Sequence, residues 1–234
     1  AGRVYWQISD GTVKPATSGA EISHTFAANG PHRMRLIGVP VDQITRIDAN
    51  SDYLIGDIGK IRWAGYRNLA TLYLYSTDVS GDISNLAGLS DLVDLRLYST
   101  GVSGDIANLA GLSKLTYLYL YSTSATCGST FTASWVGMRD FRVQDCLMSQ
   151  AAVGNIVESI WTARAGFTYA TPALNIGGTN AAPTGTYVAP IEGANWHEDA
   201  PGHWTPLTGK AMIYDLQNDV NAEGFNKWTV TYTA

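Results

Sequence analysis

A repeat of 23 residues runs through the middle of this 234-residue chain. The copies LYLYSTDVSGDISNLAGLSDLVD, LRLYSTGVSGDIANLAGLSKLTY and LYLYSTSATCGSTFTASWVGMRD begin at Leu72, Leu95 and Leu118. A divergent copy, FRVQDCLMSQ, follows on the same period at Phe141, and IDANSDYLIGDIG at Ile47 is two residues out of phase. One such unit is too short to bury its apolar side alone, so successive units must stack around a shared core.

Leucines recur at fixed positions inside each unit. In the second full copy, Leu95 and Leu97 are preceded by Leu92 and followed by Val102 and Ile106. This LxxLxL spacing resembles the leucine-rich repeat over residues 44–147, with threonine in three of the units where that family has asparagine or cysteine. The residues at that position are Thr77, Thr100, Thr123 and Cys146. The resemblance implies an α/β solenoid with a parallel β-sheet on its concave face. Threonine at the asparagine position is compatible with this fold, because its hydroxyl can still bond to the turn backbone.

Alternate residues of each short strand face the core, which predicts two buried rows. These rows are Ile47, Leu72, Leu95, Leu118 and Phe141, and Ala49, Leu74, Leu97, Leu120 and Val143. A GDI segment then turns the chain in three of the units. We expect Asp82 and Asp105 in these segments to cap short helical turns, because calcium binding would need more oxygen ligands.

The sequence divides into three parts. Residues 1–43 are predicted to form a β-rich N-terminal cap, with strands in RVYWQI, AEISHTF and HRMRLIG and a hairpin turn at Asn29 and Gly30. This stretch resembles small Ig-like or PKD-type modules. Residues 44–147 hold the repeats. Residues 148–234 are predicted to form a C-terminal cap that continues the parallel sheet in a βαβαβ order.

The C-terminal cap carries the motifs LNIGGTNAAPTG and GFNKWTVTYTA, which resemble the C-terminal caps of bacterial and phage leucine-rich repeat proteins. The resemblance implies an extracellular place, on a bacterial cell surface or a virion. Within the cap, a long loop at 177–206 is expected to be functional because of its length. Trp196, His197 and Trp204 are candidate ligand contacts there, unless the two tryptophans only pin the loop to the cap. The segment HEDAPGH lacks the helical H-E-x-x-H spacing, so no metal or cofactor is expected.

The remaining alternate strand positions must point onto the concave face. They form three columns: Asn50, Tyr75, Tyr98, Tyr121, Gln144; Asp48, Tyr73, Arg96, Tyr119, Arg142; and Arg46, Thr71, Asp94, Tyr117, Asp140. Recognition surfaces are rich in tyrosine and arginine. The candidate ligand-binding residues are therefore Tyr73, Tyr75, Arg96, Tyr98, Tyr117, Tyr119, Tyr121 and Arg142. A second interpretation stays open, in which these ladders serve only to stabilise the sheet.

Charge and motifs argue against several functions. The net charge is -5 without a run of Lys or Arg, so no nucleic-acid partner is expected. The sequence has no stretch of about 18 apolar residues, so membrane insertion is not expected. It also lacks a G-x-S-x-G elbow and a Walker loop, and no enzymatic activity is expected. Asp94 and Asp140 lie two strands apart and are expected to pair with Arg96 and Arg142 rather than to act as catalytic carboxylates.

These observations predict a non-catalytic recognition or adhesion protein that binds a glycan or a protein receptor through its Tyr/Arg face. The alternative is a self-assembling structural protein, such as a virion fibre, a decoration protein or an extracellular filament subunit. In that case the partners of the aromatic residues are other copies of the chain. Cys127 and Cys146 are expected to be buried free thiols.

Overall fold

The computed structural model describes residues 5–8, 13–15, 34–37, 41–50, 54–201 and 203–233. None of the helices in these ranges is long and apolar enough to cross a membrane. The predicted strand AEISHTF and the predicted turn at Asn29 and Gly30 lie outside the described residues.

The described residues form short strands, two α-helices and several 3-10 turns. The strands are β1 (Tyr5–Ile8), β2 (Val13–Pro15), β3 (Met34–Ile37), β4 (Arg46–Asp48), β5 (Ile55–Asp57), β6 (Thr71–Tyr73), β7 (Asp78–Asp82), β8 (Asp94–Arg96), β9 (Gly101–Asp105), β10 (Tyr117–Tyr119), β11 (Ser124–Thr126), β12 (Asp140–Arg142), β13 (Ala173–Asn175), β14 (Trp196–Ala200), β15 (His203–Pro206) and β16 (Thr229–Thr231). The α-helices are α1 (Gln150–Thr162) and α2 (Gly209–Asn218). The 3-10 turns are Val41–Gln43, Ile58–Lys60, Trp63–Gly65, Ile83–Leu86, Ile106–Leu109 and Arg164–Gly166.

A seven-stranded parallel sheet joins the repeats to the C-terminal cap, in the order β16-β13-β12-β10-β8-β6-β4. Its register places Leu72, Leu95, Leu118 and Phe141 side by side, and all four side chains are fully buried. The fold is therefore the predicted leucine-rich repeat solenoid. Ile47 occupies the same row in β4, at the edge of the sheet, and is only partly buried.

The same repeats form a second parallel sheet, in the order β11-β9-β7-β5. The sequence analysis did not predict it, because each of its strands alternates only small and weakly apolar residues. In β7, for example, Val79 faces the core while Asp78 and Ser80 are exposed. The first four units thus each contribute one strand to the seven-stranded sheet and a second strand to this sheet, with the core between them.

A short 3-10 turn follows the second strand of a repeat, and aspartate begins it. The Asp82 carboxylate accepts a hydrogen bond from the Ser84 N–H at 2.7 Å, and Asp105 accepts one from the Ala107 N–H at 2.9 Å. These bonds confirm the predicted capping role. Gly104 has a φ of +114°, and a Cβ there would collide with the Asp82 carboxylate of the preceding repeat. Gly81 and Gly104 are therefore required by the stacking as well as by their own positive φ.

The predicted threonine row forms the corner between the two sheets. The hydroxyls of Thr77, Thr100 and Thr123 each donate to a carbonyl three residues earlier, all at 2.6 Å. In the last repeat, the turn is bonded by a residue that is not part of the repeat pattern. Asn180, buried to 2% exposure, accepts from the N–H groups of Cys146 and Met148 at 3.0 Å. An asparagine from the C-terminal cap thus bonds the turn backbone of the last repeat.

The C-terminal cap continues the parallel sheet in the predicted βαβαβ order, through β12, α1, β13, α2 and β16. Ser149 caps α1 by accepting from the Ala152 N–H at 3.2 Å, and Thr208 caps α2 in the same way. The two helices are tied together by Asp215, which is 1% exposed and accepts from the Trp161 indole N–H at 2.6 Å. Arg164 lies on the Trp161 ring at 4.3 Å and binds Glu223 at 2.6 Å.

Candidate functional site

The concave face is the outer side of the seven-stranded sheet, and its first column is a stack of tyrosine rings. The Tyr75 and Tyr98 rings lie 4.5 Å apart between centroids, and the Tyr98 and Tyr121 rings lie 4.3 Å apart, both nearly parallel at 10°. The stack follows from the fold, because equivalent residues of adjacent parallel strands are held about 4.8 Å apart. Asn50 donates to the Tyr75 hydroxyl at one end of the stack.

The second column alternates arginine and tyrosine. Arg46 and Arg96 lie on the two sides of the Tyr73 ring, each with its guanidinium carbon 4.6 Å from the ring centroid. Arg96 and Arg142 flank the Tyr119 ring in the same way, at 5.0 and 4.8 Å. The result is a continuous stack of three guanidinium groups and two phenol rings. Arg46 was assigned to the third column from its place in the sequence, and its role in this stack was not predicted.

Two aspartates of the third column hold Arg96 and Arg142 in place. The Arg96 Nε and Nη2 donate to the two oxygens of Asp94, both at 2.9 Å, and Arg142 binds Asp140 through the same nitrogens at 2.6–3.0 Å. These ion pairs were predicted. Asp94 also accepts from the Tyr73 hydroxyl at 2.5 Å, as Asp140 does from the Tyr119 hydroxyl at 2.8 Å.

The hydroxyl bonds from tyrosine to aspartate were not predicted. They join a tyrosine on one strand to an aspartate on the next strand. The strand register places Tyr73 directly opposite Arg96. Asp94 lies two residues before Arg96 on the same strand, so it is the diagonal neighbour of Tyr73. A search of the sequence for diagonal donor and acceptor pairs between repeats would have found them.

This packing shifts the acid–base properties of the face. Burial raises the pKa of Tyr98 to about 12, and the neighbouring Tyr121 phenol adds to the rise. Burial also raises the pKa of Tyr119 to about 12, with the bond to Asp140 as the second cause. The bond to Asp94 raises the pKa of Arg96 above its ordinary value. Tyr98 and Tyr119 therefore stay neutral and Arg96 stays charged at any physiological pH.

The ring stacking also decides what a ligand can touch. Both faces of Tyr98 are covered by neighbouring tyrosines, and both faces of Tyr73 and Tyr119 are covered by guanidinium groups. A ligand can therefore reach these three rings only at their edges, beside the partly exposed Arg96 and the exposed Arg142. Tyr117 meets the edge of the Tyr119 ring at 6.4 Å and 81° and completes the surface.

All eight predicted residues of the concave face are thus brought together on one surface, and each is partly buried or exposed. The loop candidates are different. Trp196 is fully buried, and its indole donates to the Val188 carbonyl at 3.1 Å and meets the Tyr214 ring edge-on. The prediction that Trp196 contacts a ligand is wrong, because its side chain fills the interior of the cap and pins the loop.

The other two loop candidates lie on a β-hairpin, made by β14 and β15, that the sequence analysis did not predict. His197 is exposed and hydrogen-bonded to Glu192 at 3.3 Å. Trp204 lies in β15, but its side chain is outside the described part of the structure. The ring contacts recorded for Tyr187 in this loop run to Tyr214 and Tyr232, both in the cap.

The two cysteines are buried free thiols, as predicted. Burial raises the pKa of Cys127 to about 12 and raises that of Cys146 above its ordinary value. The Cys146 thiol donates to the Leu120 carbonyl at 3.2 Å. Cys146 holds the position that threonine has in the preceding repeats, and its thiol also bonds to the backbone. We therefore assign it a structural role.

Comparison with known proteins adds one fold-level similarity. No protein-family model matches the sequence, and no curated protein matches it significantly. Among the solved structures that match is the crystal structure of an internalin (inlF) from Listeria monocytogenes, at 17% sequence identity and a TM-score of 0.34. The match covers 60% of this chain and 43% of the internalin chain, so this chain spans less than half of that protein's length. The leucine-rich repeat fold follows from this chain's own strand register.

Proposed function

We propose that this chain is a non-catalytic protein-recognition module whose binding surface is the concave face. The observation that carries the proposal is the contrast between the outer faces of the two repeat sheets. Both sheets are parallel and are built by the same repeats. The second sheet is outwardly lined by small polar residues such as Ser80, Ser103 and Thr126. A parallel sheet of this protein can therefore form without exposed aromatic or arginine side chains.

The rigidity of the concave face supports a binding role. Each arginine is held by an aspartate and by ring contacts, so ordering these long side chains on binding costs little additional entropy. Tyrosine supplies large contact area with few rotatable bonds, and arginine is frequent at binding hot spots. The face thus has the composition and the fixed geometry of a preorganised binding surface.

A protein partner fits this geometry better than a glycan does. Sugar rings commonly stack on open aromatic faces, and here the faces of Tyr73, Tyr98 and Tyr119 are already covered by neighbours. The Tyr73 and Tyr119 hydroxyls already donate to Asp94 and Asp140. The donors that remain beside them are guanidinium N–H groups, which suit backbone carbonyls and carboxylates. The bacterial-surface or virion location implied by the sequence resemblance stays a prediction.

Selection from a displayed library of random peptides tests the proposal. Ligands that bind the parent chain are measured against Tyr98→Ala and against Tyr169→Ala. Tyr169 is a matched control, since it is exposed and carries Arg139 on its ring at 4.8 Å but lies outside the three columns. We expect the selected ligands to lose about tenfold or more in affinity for Tyr98→Ala and to bind Tyr169→Ala like the parent.

Two results would overturn the proposal. In the first, the selected ligands bind both variants equally well, which places the binding surface elsewhere. In the second, a glycan array captures the parent chain through a signal that Tyr98→Ala abolishes, while no peptide ligand depends on Tyr98. The second result would replace the protein partner with a carbohydrate.

Self-assembly is a second candidate, favoured by exposed apolar side chains that do not belong to the three columns. Leu147 is 80% exposed and Ile191 is 73% exposed. Light scattering over a wide concentration range tests it. A mass that rises with concentration in the parent and falls back in Leu147→Ser or Ile191→Ser supports assembly, whereas a constant monomer mass excludes it.

A further inference from the structure

The three ion pairs of the concave face share an asymmetry. In each pair the arginine is more exposed than its aspartate: 52% against 34% for Arg46 and Asp48, 30% against 12% for Arg96 and Asp94, and 44% against 15% for Arg142 and Asp140. The carboxylates lie beneath the guanidinium groups. The face is formally neutral in these six residues, but a ligand meets its positive side first.

The arginines also keep donors for a ligand. The bonds from Arg96 and Arg142 to aspartate use Nε and Nη2. A guanidinium group has five N–H donors, so the two on Nη1 remain. A second carboxylate can bind there with charge-assisted hydrogen bonds, in addition to the aspartate already present.

The spacing of the arginines is regular. A tyrosine separates Arg46 from Arg96 and another separates Arg96 from Arg142, so consecutive guanidinium groups are two strands apart. Two strand spacings amount to about 9.6 Å. A polyproline II helix has three residues per turn and rises about 3.1 Å per residue, so every third side chain returns to the same side after about 9.3 Å. Residues i, i+3 and i+6 of such a helix therefore match the three arginines.

We infer that the concave face binds an acidic polypeptide segment in the polyproline II conformation, running across the strands, with a carboxylate at every third residue. The inference rests on the proposed function and names the ligand chemistry of the same surface. Arg46, Arg96 and Arg142 receive the three carboxylates.

The probe is a fluorescent peptide of three Glu-Pro-Pro repeats, measured by anisotropy against the folded parent chain. A second peptide has the same composition with its three glutamates adjacent, and a third has glutamine in place of glutamate. We expect the repeat peptide to bind about tenfold more tightly than the rearranged peptide, and the glutamine peptide not to bind. Equal binding of the first two peptides would overturn the spacing argument.

Protein variants identify the receiving groups. Arg142→Gln is expected to lower the affinity for the repeat peptide by about tenfold. Arg46→Gln, at the most exposed of the three arginines, provides the same test should Arg142→Gln unfold. Lys114→Gln is the matched control, because Lys114 is a surface cation paired with Asp91 at 2.6 Å outside the concave columns. A loss of affinity in Lys114→Gln as large as in Arg142→Gln would show unspecific attraction and overturn the inference.

An acidic polysaccharide measured in the same assay separates the two sources of carboxylate. Binding of polygalacturonate that depends on Arg142, without binding of the repeat peptide, would overturn the inference in favour of a glycan. Failure here is distinguishable from failure of the proposed function. Should the repeat peptide fail while library-selected ligands still depend on Tyr98, only the ligand chemistry is wrong. Ligands that depend on neither Tyr98 nor Arg142 reject both proposals.

Discussion

The two parallel sheets of the repeats are built in the same way, but the side chains on their outer surfaces differ. On the concave face, tyrosine rings stack at 4.3 and 4.5 Å and arginines alternate with rings. On the second sheet, the outward residues of neighbouring strands pair as Ser80 with Gly101 and Asp82 with Ser103. Here aspartate packs over the glycine backbone of the next repeat.

This contrast distinguishes the residues that the solenoid needs in order to fold from the side chains that are added on one of its faces. Both ladders are stabilised by backbone hydrogen bonds and by the shared leucine core, and neither requires an aromatic outer row. The aromatic and arginine side chains are therefore an addition to one face. Substitutions that compare the core, the concave face and the second sheet test this separation.

The largest effect is expected in the shared core. Leu97 is fully buried between the two sheets, and Leu97→Ala leaves a cavity in a closely packed interior. We expect the free energy of unfolding to fall by about 3 kcal/mol, within the range of such substitutions. Chemical denaturation monitored by circular dichroism measures it. A loss below about 1 kcal/mol would show that the repeats do not share one cooperative core.

Tyr98→Ala is expected to cost less, about 2 kcal/mol, because Tyr98 is only partly buried and loses two ring contacts of about 1 kcal/mol each. The same denaturation experiment applies. A cost equal to or above that of Leu97→Ala would break the comparison, since the concave row would then be a structural necessity. Tyr98→Phe keeps the stack and is expected to retain nearly all of the stability.

The raised pKa values of two phenols make the stability of the fold decrease with pH in the alkaline range. The pKa of Tyr98 and of Tyr119 is about 12 in the folded chain, against an ordinary value of 10.0. The unfolded chain ionises first, so this contribution is complete below pH 10 and is lost as the pH rises towards 12. We expect the free energy of unfolding to fall over this interval, and the fall to be smaller in Tyr98→Phe. An unchanged slope in the variant would contradict the assignment to Tyr98.

The smallest effect is expected on the second sheet. Ser103 is the outward residue paired with Asp82 and Ser124, and Ser103→Ala removes only a small polar group. We expect a change within about 0.5 kcal/mol, as is usual for surface substitutions. A cost approaching that of Tyr98→Ala would mean that both outer faces stabilise the solenoid equally. The contrast that supports the proposed function would then disappear.

Much of the architecture could be predicted from local pattern. The period of the leucines predicted the strands, the two buried rows and the three outward columns, because side-chain direction in a strand alternates strictly. The second sheet was missed because its strands have no strong apolar alternation. For Trp196 the sequence left two interpretations open, a ligand contact or a side chain that pins the loop, because an aromatic residue in a long polar loop gives no local sign of burial.

The sequence by itself determined which residues of each repeat point inward and which point to the concave face. Only the tertiary structure decided what those outward residues do. Whether Tyr98 offers an open ring face depends on the rings placed above and below it by residues 23 positions away. The contact of Arg46 with the Tyr73 ring also depends on a neighbouring strand. Asn180, which follows α1 in the sequence, likewise bonds the turn of the last repeat only in the folded chain. Direction is a local property of the backbone, whereas contact between repeats is set by the register and spacing of the assembled sheets.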